Sequence, residues 1–119
     1  MPYTVDGKNV MTGALAAAVS HLSLHSASPA TLANELSGGS PAYARKTTAW
    51  NAASGGSVDN SDTPVFDVPA GATVAAVGFC SNGTAGGGTL HGYVAVVAEV
   101  YAGQGVYTVT DADLVVNDP

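Results

Sequence analysis

Residues 64–82 read PVFDVPAGATVAAVGFCSN, and this stretch decides the fold. Val65, Phe66 and Val68 form a short apolar run ahead of Pro69-Ala70-Gly71. Proline presets φ at the second position of a tight turn, and glycine accepts the positive φ needed at a later one. A second run follows at 72–80, with Val74, Ala76 and Gly78 on one side and Ala75, Val77 and Phe79 on the other. Alternation at period two between turn signals reads as strand, turn, strand. Asn82-Gly83 then signals another tight turn, and GTAGGG (83–88) a flexible tip.

The same alternation extends in both directions. Downstream, TLHGYVAVVAEVYAG (89–103) is long and β-branched, with Val94, Val96, Ala98 and Val100 on one face. QGVYTVTDADLVVNDP (104–119) reads as a final hairpin that turns at Asp111-Ala112-Asp113. Upstream, SHLSLHSA (20–27) alternates Leu22 and Leu24 with His21, Ser23 and His25, a strand with leucines inward and histidines toward solvent. SPATLANELSGGSP (28–41) is a loop with turns, AYARKTTAW (42–50) a strand anchored by Trp50, and the polar stretch 51–64 holds a short edge strand around Val58. Only the N-terminal segment has helical period. Val10, Leu15 and Val19 form a narrow stripe, Asp6 is positioned to cap it, and the helix is expected over about residues 7–19. The whole predicts one domain over 1–119, mainly β, an antiparallel β-sandwich (jelly-roll-like) with one short N-terminal helix.

Composition narrows the function. The 119 residues include nine acidic and three basic side chains (Lys8, Arg45 and Lys46), for a net charge of −6. So few cations cannot supply the phosphate contacts of a nucleic-acid binder, nor hold an anionic membrane surface. A single cysteine, Cys80, forms no internal disulfide. No apolar run approaches the roughly 20 residues of a membrane span, and Ala14 to Val19 is too short and too alanine-rich for a signal-peptide core. The expectation is a protein made in a cytoplasm that reaches any exterior position by another route, such as assembly into a particle.

Candidate chemistry is sparse. His21 and His25 sit four apart, but on a strand their Cα atoms lie about 13 Å apart, too far for one metal ion. Serines, histidines and aspartates occur without a G-x-S-x-G elbow or an H-E-x-x-H pair. Cys80 lies within an apolar strand and reads as an inert buried thiol. Glu35 and Glu99 have nothing to bring them together as a glycosidase pair. Asp111, Asp113 and Asp118 read as turn residues. No catalytic residue, metal or cofactor is expected. Glu35 and Arg45, opposite charges in a charge-poor chain, are expected to pair and to pin the 28–41 loop over the sheet.

The stretch SLHSASPATLANELSGGSPAYAR (23–45) resembles the small tail-fibre-type proteins of tailed bacteriophages. Three segments carry the likeness: Leu24-His25-Ser26-Ala27-Ser28-Pro29, Asn34-Glu35-Leu36-Ser37-Gly38-Gly39 and Tyr43-Ala44-Arg45. Trp50-Asn51, the segment from Phe66 to Phe79, Ala102-Gly103-Gln104-Gly105 and Tyr107-Thr108-Val109-Thr110 extend it over about residues 8–117. Cys80-Ser81 departs from the pattern, where an aromatic and a small residue are expected. The resemblance implies a non-enzymatic structural protein of the virion, without cofactor. A minor tail or tail-fibre-type component is the first expectation, and a capsid decoration protein on the major capsid protein the second. A third is a carbohydrate-binding module, with Tyr43, Trp50, Tyr93 or Tyr101 as stacking platforms for a host glycan. The low charge of strands 72–80 and 89–101 further predicts a neighbour covering them, either a second copy or another virion protein.

Overall fold

The computed structural model describes residues 3–110 and the backbone of 113–115. The chain is mainly β, with one helix and antiparallel sheets. Helix α1 (Val5–Ala18) is followed by β1 (His21–His25), a 3-10 turn at Leu32–Asn34, β2 (Lys46–Thr47), β3 (Ser57–Asp59), β4 (Val65–Val68), β5 (Thr73–Cys80), β6 (Leu90–Val100), β7 (Gly105–Thr108) and β8 (Asp113–Val115). Among the described residues no helix is long and apolar enough to cross a membrane.

The strands form one four-stranded sheet, β2-β1-β5-β6, and two pairs, β3-β8 and β4-β7. β1 runs antiparallel to β5 with Leu22 opposite Phe79 and Leu24 opposite Val77. Residues opposite each other in an antiparallel pair share a face. Leu22, Leu24, Val77 and Phe79 therefore form one apolar surface of the sheet. They join Val58 of β3, Phe66 and Val68 of β4 and Val109 in a single buried cluster. Trp50 packs on it edge-to-face against Phe79, with ring centroids 6.1 Å apart.

Several local expectations change. The helix spans Val5–Ala18 rather than 7–19, and its cap is Thr4, whose Oγ1 accepts from the Gly7 amide; Asp6 lies in the first turn. Of the expected apolar stripe, Leu15 packs on the core and Val19, the C-cap, is buried in it, whereas Val10 is 71% exposed. The same face also buries Thr12 and packs Ala16 on the core, with the Thr12 hydroxyl satisfied by the Lys8 carbonyl. The strand over 42–50 shrinks to Lys46–Thr47, because Tyr43 and Arg45 turn beneath the preceding loop.

The turn at 69–72 closes through the Ala72 amide on the Pro69 carbonyl, so Pro69 opens it and Gly71, at φ 80°, supplies the left-handed residue. It is a corner rather than a hairpin: β4 pairs with β7, and β5 with β1 and β6. The tip between β5 and β6 takes its positive φ at Gly86 and Gly88, not at Gly83. The final hairpin does not form. β7 joins β4 and β8 joins β3, and Asp111-Ala112 at the expected turn lie outside the described residues. Asp118 also lies outside them.

Candidate functional site

The buried polar groups gather on the other face of the sheet. There Ser23 and His25 of β1 stand opposite Gly78 and Ala76 of β5. The 26–36 segment folds back over them, anchored by the Leu36 amide on the Leu24 carbonyl and the Ser26 amide on the Asn34 carbonyl. This return covers the face expected to carry solvent-facing histidines. His25 and Ser23 are fully buried, whereas His21 is half-buried and His91 exposed.

Glu35 enters from that returning segment and meets Arg45. Arg45 Nη2 donates to Glu35 Oε1 at 2.7 Å and Nε to Oε2 at 2.8 Å, a two-pronged pair with the side chains 0% and 2% exposed. The remaining guanidinium nitrogen, Nη1, donates to the carbonyls of Asn82 and Gly87 and to Asn82 Oδ1. Glu35 also accepts from the Tyr43 hydroxyl at 2.7 Å and the Gly86 amide at 2.8 Å. Tyr43 in turn accepts from the Leu24 amide. One ion pair thus joins the 31–36 segment, residues 43–45, β1 and the tip between β5 and β6. A fork of this kind satisfies both carboxylate oxygens at once.

The electrostatics follow from this geometry. Burial pushes the Glu35 carboxyl up, but hydrogen bonds from Arg45, Tyr43 and Gly86 outweigh it and leave the group below its ordinary value. Arg45 is held further toward its cation, chiefly by the hydrogen bonds to Glu35. Burial, reinforced by the bond to Glu35, drives the Tyr43 hydroxyl well above the phenol range.

A second, neutral chain lies beside the pair. His25 Nδ1 faces two acceptors, the Thr31 carbonyl at 3.0 Å and Asn34 Oδ1 at 2.9 Å. Asn34 is oriented by its own bonds, Nδ2 to the Pro29 carbonyl and Oδ1 from the Thr31 amide. Nδ1 therefore carries the proton, and in the neutral ring Nε2 accepts from Ser23 Oγ at 2.7 Å. With its one proton committed, Ser23 Oγ accepts from the Cys80 thiol at 3.3 Å. Desolvation lowers the His25 pKa and raises that of Cys80, so both stay uncharged near neutral pH.

The connectivity of serine, histidine and asparagine matches that of a nucleophile, a base and its orienting group. Its setting does not. Ser23, His25 and Cys80 are all fully buried, and Leu90 packs above Gly78 beside Ser23 and His25. No substrate carbonyl can reach Oγ in this arrangement, so what the cluster does chemically is lock a loop to a sheet. No buried side-chain polar atom among the described residues lacks a partner.

The four aromatic candidates separate. Tyr43 is buried, stacked on Phe66 with centroids 6.4 Å apart, and cannot serve as a platform. Trp50 is half-buried with its Nε1 donating to the Val19 carbonyl. Tyr101 is half-buried against the core and donates its hydroxyl to the Val106 carbonyl. Only Tyr93 of the four, on β6 and 43% exposed, offers a free ring. Of the four rings expected as stacking platforms, Tyr43 is closed off and Trp50 and Tyr101 are engaged in packing, which leaves Tyr93 exposed.

Glu99 stands on exposed β6, in a different part of the fold from the sealed Glu35. Among the described residues no group of histidine, cysteine or acidic side chains could hold a metal ion. A cavity of about 120 Å³ beside β6 is lined by Val77, Val94, Val96, Tyr107 and Val109 among others. It is well below the roughly 300–1,000 Å³ of ordinary ligand sites.

Sequence reasoning paired Glu35 with Arg45 and missed Tyr43, Ser23, His25, Asn34 and the loop amide of Gly86. The available signal was the spacing of Tyr43 and Arg45, which places both on one side of an extended segment facing the lone acid of the loop. Gln104, also within the resembling segments, bridges the same loop from the far end of the chain. Its Oε1 accepts from the Ser40 amide and its Nε2 donates to the Pro41 carbonyl. Comparison with protein-family models, curated proteins and solved structures gives no match for this chain.

Proposed function

We propose that this chain is a non-enzymatic structural subunit on the exterior of a tailed-phage virion, a minor tail or tail-fibre-type component held by other virion proteins or by its own copies. One observation carries the reading. The segments that resemble the phage family, around His25, Asn34-Glu35, Tyr43-Ala44-Arg45 and Gln104, are spent on closing the fold rather than on an open cleft. A motif used in this way fits a particle component that must persist without disulfides. The sandwich-like reading of the fold belongs here as well. It is supported by a core shared between the four-stranded sheet and the β3 and β4 pairs, although four plus two plus two strands is fewer per layer than a full jelly roll.

A capsid decoration protein is the second reading, favoured by the exposed apolar length of β6, which suits repeated contact with a lattice. A glycan-binding module has lost three of its four aromatic rings to packing. Quantifying the chain against the major capsid protein in purified particles tests the proposal. A few copies per particle is the expected result. A ratio near one transfers the protein to the capsid surface, and absence from particles overturns both readings.

A further inference from the structure

The tip between β5 and β6 holds a reactive sequence in an activating setting. Asn82 is followed by Gly83, and no other asparagine of the chain precedes a glycine. Both residues are exposed. A backbone nitrogen next to a glycine Cα has no side chain to keep it from an approaching group. The Gly83 nitrogen is therefore the one amide of the chain best placed by sequence to attack the asparagine side chain before it.

The surroundings of Asn82 favour that attack. Its Oδ1 accepts from the Thr84 amide at 3.1 Å and from Arg45 Nη1 at 3.3 Å. Donors on a carbonyl oxygen stabilise the negative charge that gathers there when its carbon is attacked. A Cβ at Gly88 would lie within 2.8 Å of Asn82 Nδ2, Cγ and Oδ1, so the side-chain amide lies flat on that glycine. These contacts hold the oxygen and leave the nitrogen unengaged: no group among the described residues accepts from Nδ2.

A base stands beside the nucleophile. Nothing among the described residues accepts from the Gly83 amide. A Cβ at Gly83 would lie 2.8 Å from His21 Nε2, so the imidazole rests against this glycine. Ser20 Oγ gives its proton to the Ser81 carbonyl at 3.0 Å and accepts from His21 Nδ1 at 2.7 Å. The neutral ring then carries its lone pair on Nε2, on the Gly83 side.

We infer that Asn82 is a self-modifying site, converted by the Gly83 amide with His21 as base and with Arg45 and the Thr84 amide on the reacting oxygen. The bond from Gly83 N to Asn82 Cγ forms as the Gly83 proton passes to His21 Nε2. The Cγ–Nδ2 bond then breaks, and Nδ2 takes that proton and leaves as ammonia. Water opens the resulting cyclic imide at either carbonyl, giving aspartate or its β-linked isomer, with no change of oxidation state. Arg45 Nη1 already donates to the Asn82 carbonyl and to Oδ1, so the new carboxylate arrives beside a cation. The net charge moves from −6 to −7. None of this depends on the virion reading, so either can fail alone.

Incubating the purified full-length chain in warm neutral buffer tests it. Isoelectric focusing should show a more acidic form growing with time. Peptide mass mapping should place the exchange of NH2 for OH at Asn82, with the other asparagines intact, and Asn82→Gln should abolish the acidic form. His21→Ala should slow conversion by at least about tenfold, less than the 10²–10⁴ of a fully aligned base because no Gly83 hydrogen bond reaches Nε2 directly. Imidazole added to the buffer should restore much of the lost rate in that variant and change the wild type little. Ser20→Ala, at an exposed position, should also slow conversion by releasing the ring. An unchanged thermal melt confirms that each variant is folded, and in urea all the histidine and serine variants should convert at the wild-type rate. Asn82 intact after incubation overturns the inference, as does conversion spread over other asparagines. A folded His21→Ala protein as fast as wild type, with no rescue by imidazole, also overturns it.

Discussion

β5 and β6 lie side by side in one sheet and are built from nearly the same residues: valines, alanines, one glycine and one aromatic each, with Glu99 the single formal charge between them. Their surroundings are opposite. β5 is buried along most of its length, with β1 and β6 on its edges, the Phe66 and Val68 cluster on one face and the His25–Ser23 cluster on the other. β6 has no buried residue. The expectation that both strands were left apolar for a neighbour holds no further for β5, whose lack of charge is what burial on both faces demands. In β6 the same composition is unexplained by the fold. Apolar alternation therefore reports that a strand can be covered, while its place in the sheet decides whether the chain covers it.

The largest effect belongs to the cover over β5. Arg45→Gln removes the cation from a Glu35 carboxylate that is 2% exposed. Breaking one partner of a buried ion pair costs about 3–5 kcal/mol. Urea unfolding should show a loss of that order, whereas Glu99→Gln on exposed β6 should stay within about 0.5 kcal/mol of wild type. Similar losses for the two variants would mean that the 26–36 return and the tip between β5 and β6 contribute no more than a surface pair.

The next contrast uses one glycine from each strand. A methyl at Gly78 on β5 would collide with Ser23 Oγ, His25 Nε2 and Leu90 Cδ1, whereas one at Gly92 on β6 meets only Phe79, at 3.7 Å. Overpacking a tight site costs about 1–3 kcal/mol. A glycine replaced without strain gains up to about 1 kcal/mol from a less free unfolded chain. Gly78→Ala should therefore lower the urea midpoint and Gly92→Ala hold or raise it. If Gly78→Ala proved neutral, the His25 face would be looser than the distances require.

How much of this could be read beforehand depended on whether the information was local. The alternations over 20–25, 64–68, 72–80 and 89–101 each became a strand because period two is a property of neighbouring residues. Pairing is not: β4 and β5 are separated by a three-residue turn signal yet enter different sheets, and the paired β7 and β8 of expectation part company. The Glu35–Arg45 contact was accessible because so few charges leave few partners to choose from. His25 was misplaced because one alternating strand says which residues share a face, but not that the 26–36 segment returns to cover the second face. Ser28-Pro29 and the turn-rich loop marked a reversal without showing where it would land.

The smallest expected effect is one of acidity, and it tests whether the sealed side opens before the bare edge matters. Burial is the main cause of the lowered His25 pKa, with the Arg45 charge adding to it against the opposing Asn34, Glu35 and Thr31 contacts. The folded protein thus binds a proton there less readily than the unfolded chain, whose histidine titrates near 6.5. Below that pH the unfolded state takes up the proton first, so stability is full above about 6.5 and declines as pH falls toward the lowered value. Glu35 acts in a separate window. Its lowered carboxyl value makes stability fall again only from about 4.5 downward. Urea midpoints measured through the range between these two values should slope downward with acid in the wild type, and His25→Gln should flatten that slope while leaving the lower one in place. A slope unchanged by His25→Gln would show that the ring takes its proton without disturbing Ser23 and Asn34, and that the histidine chain does not help to seal β5.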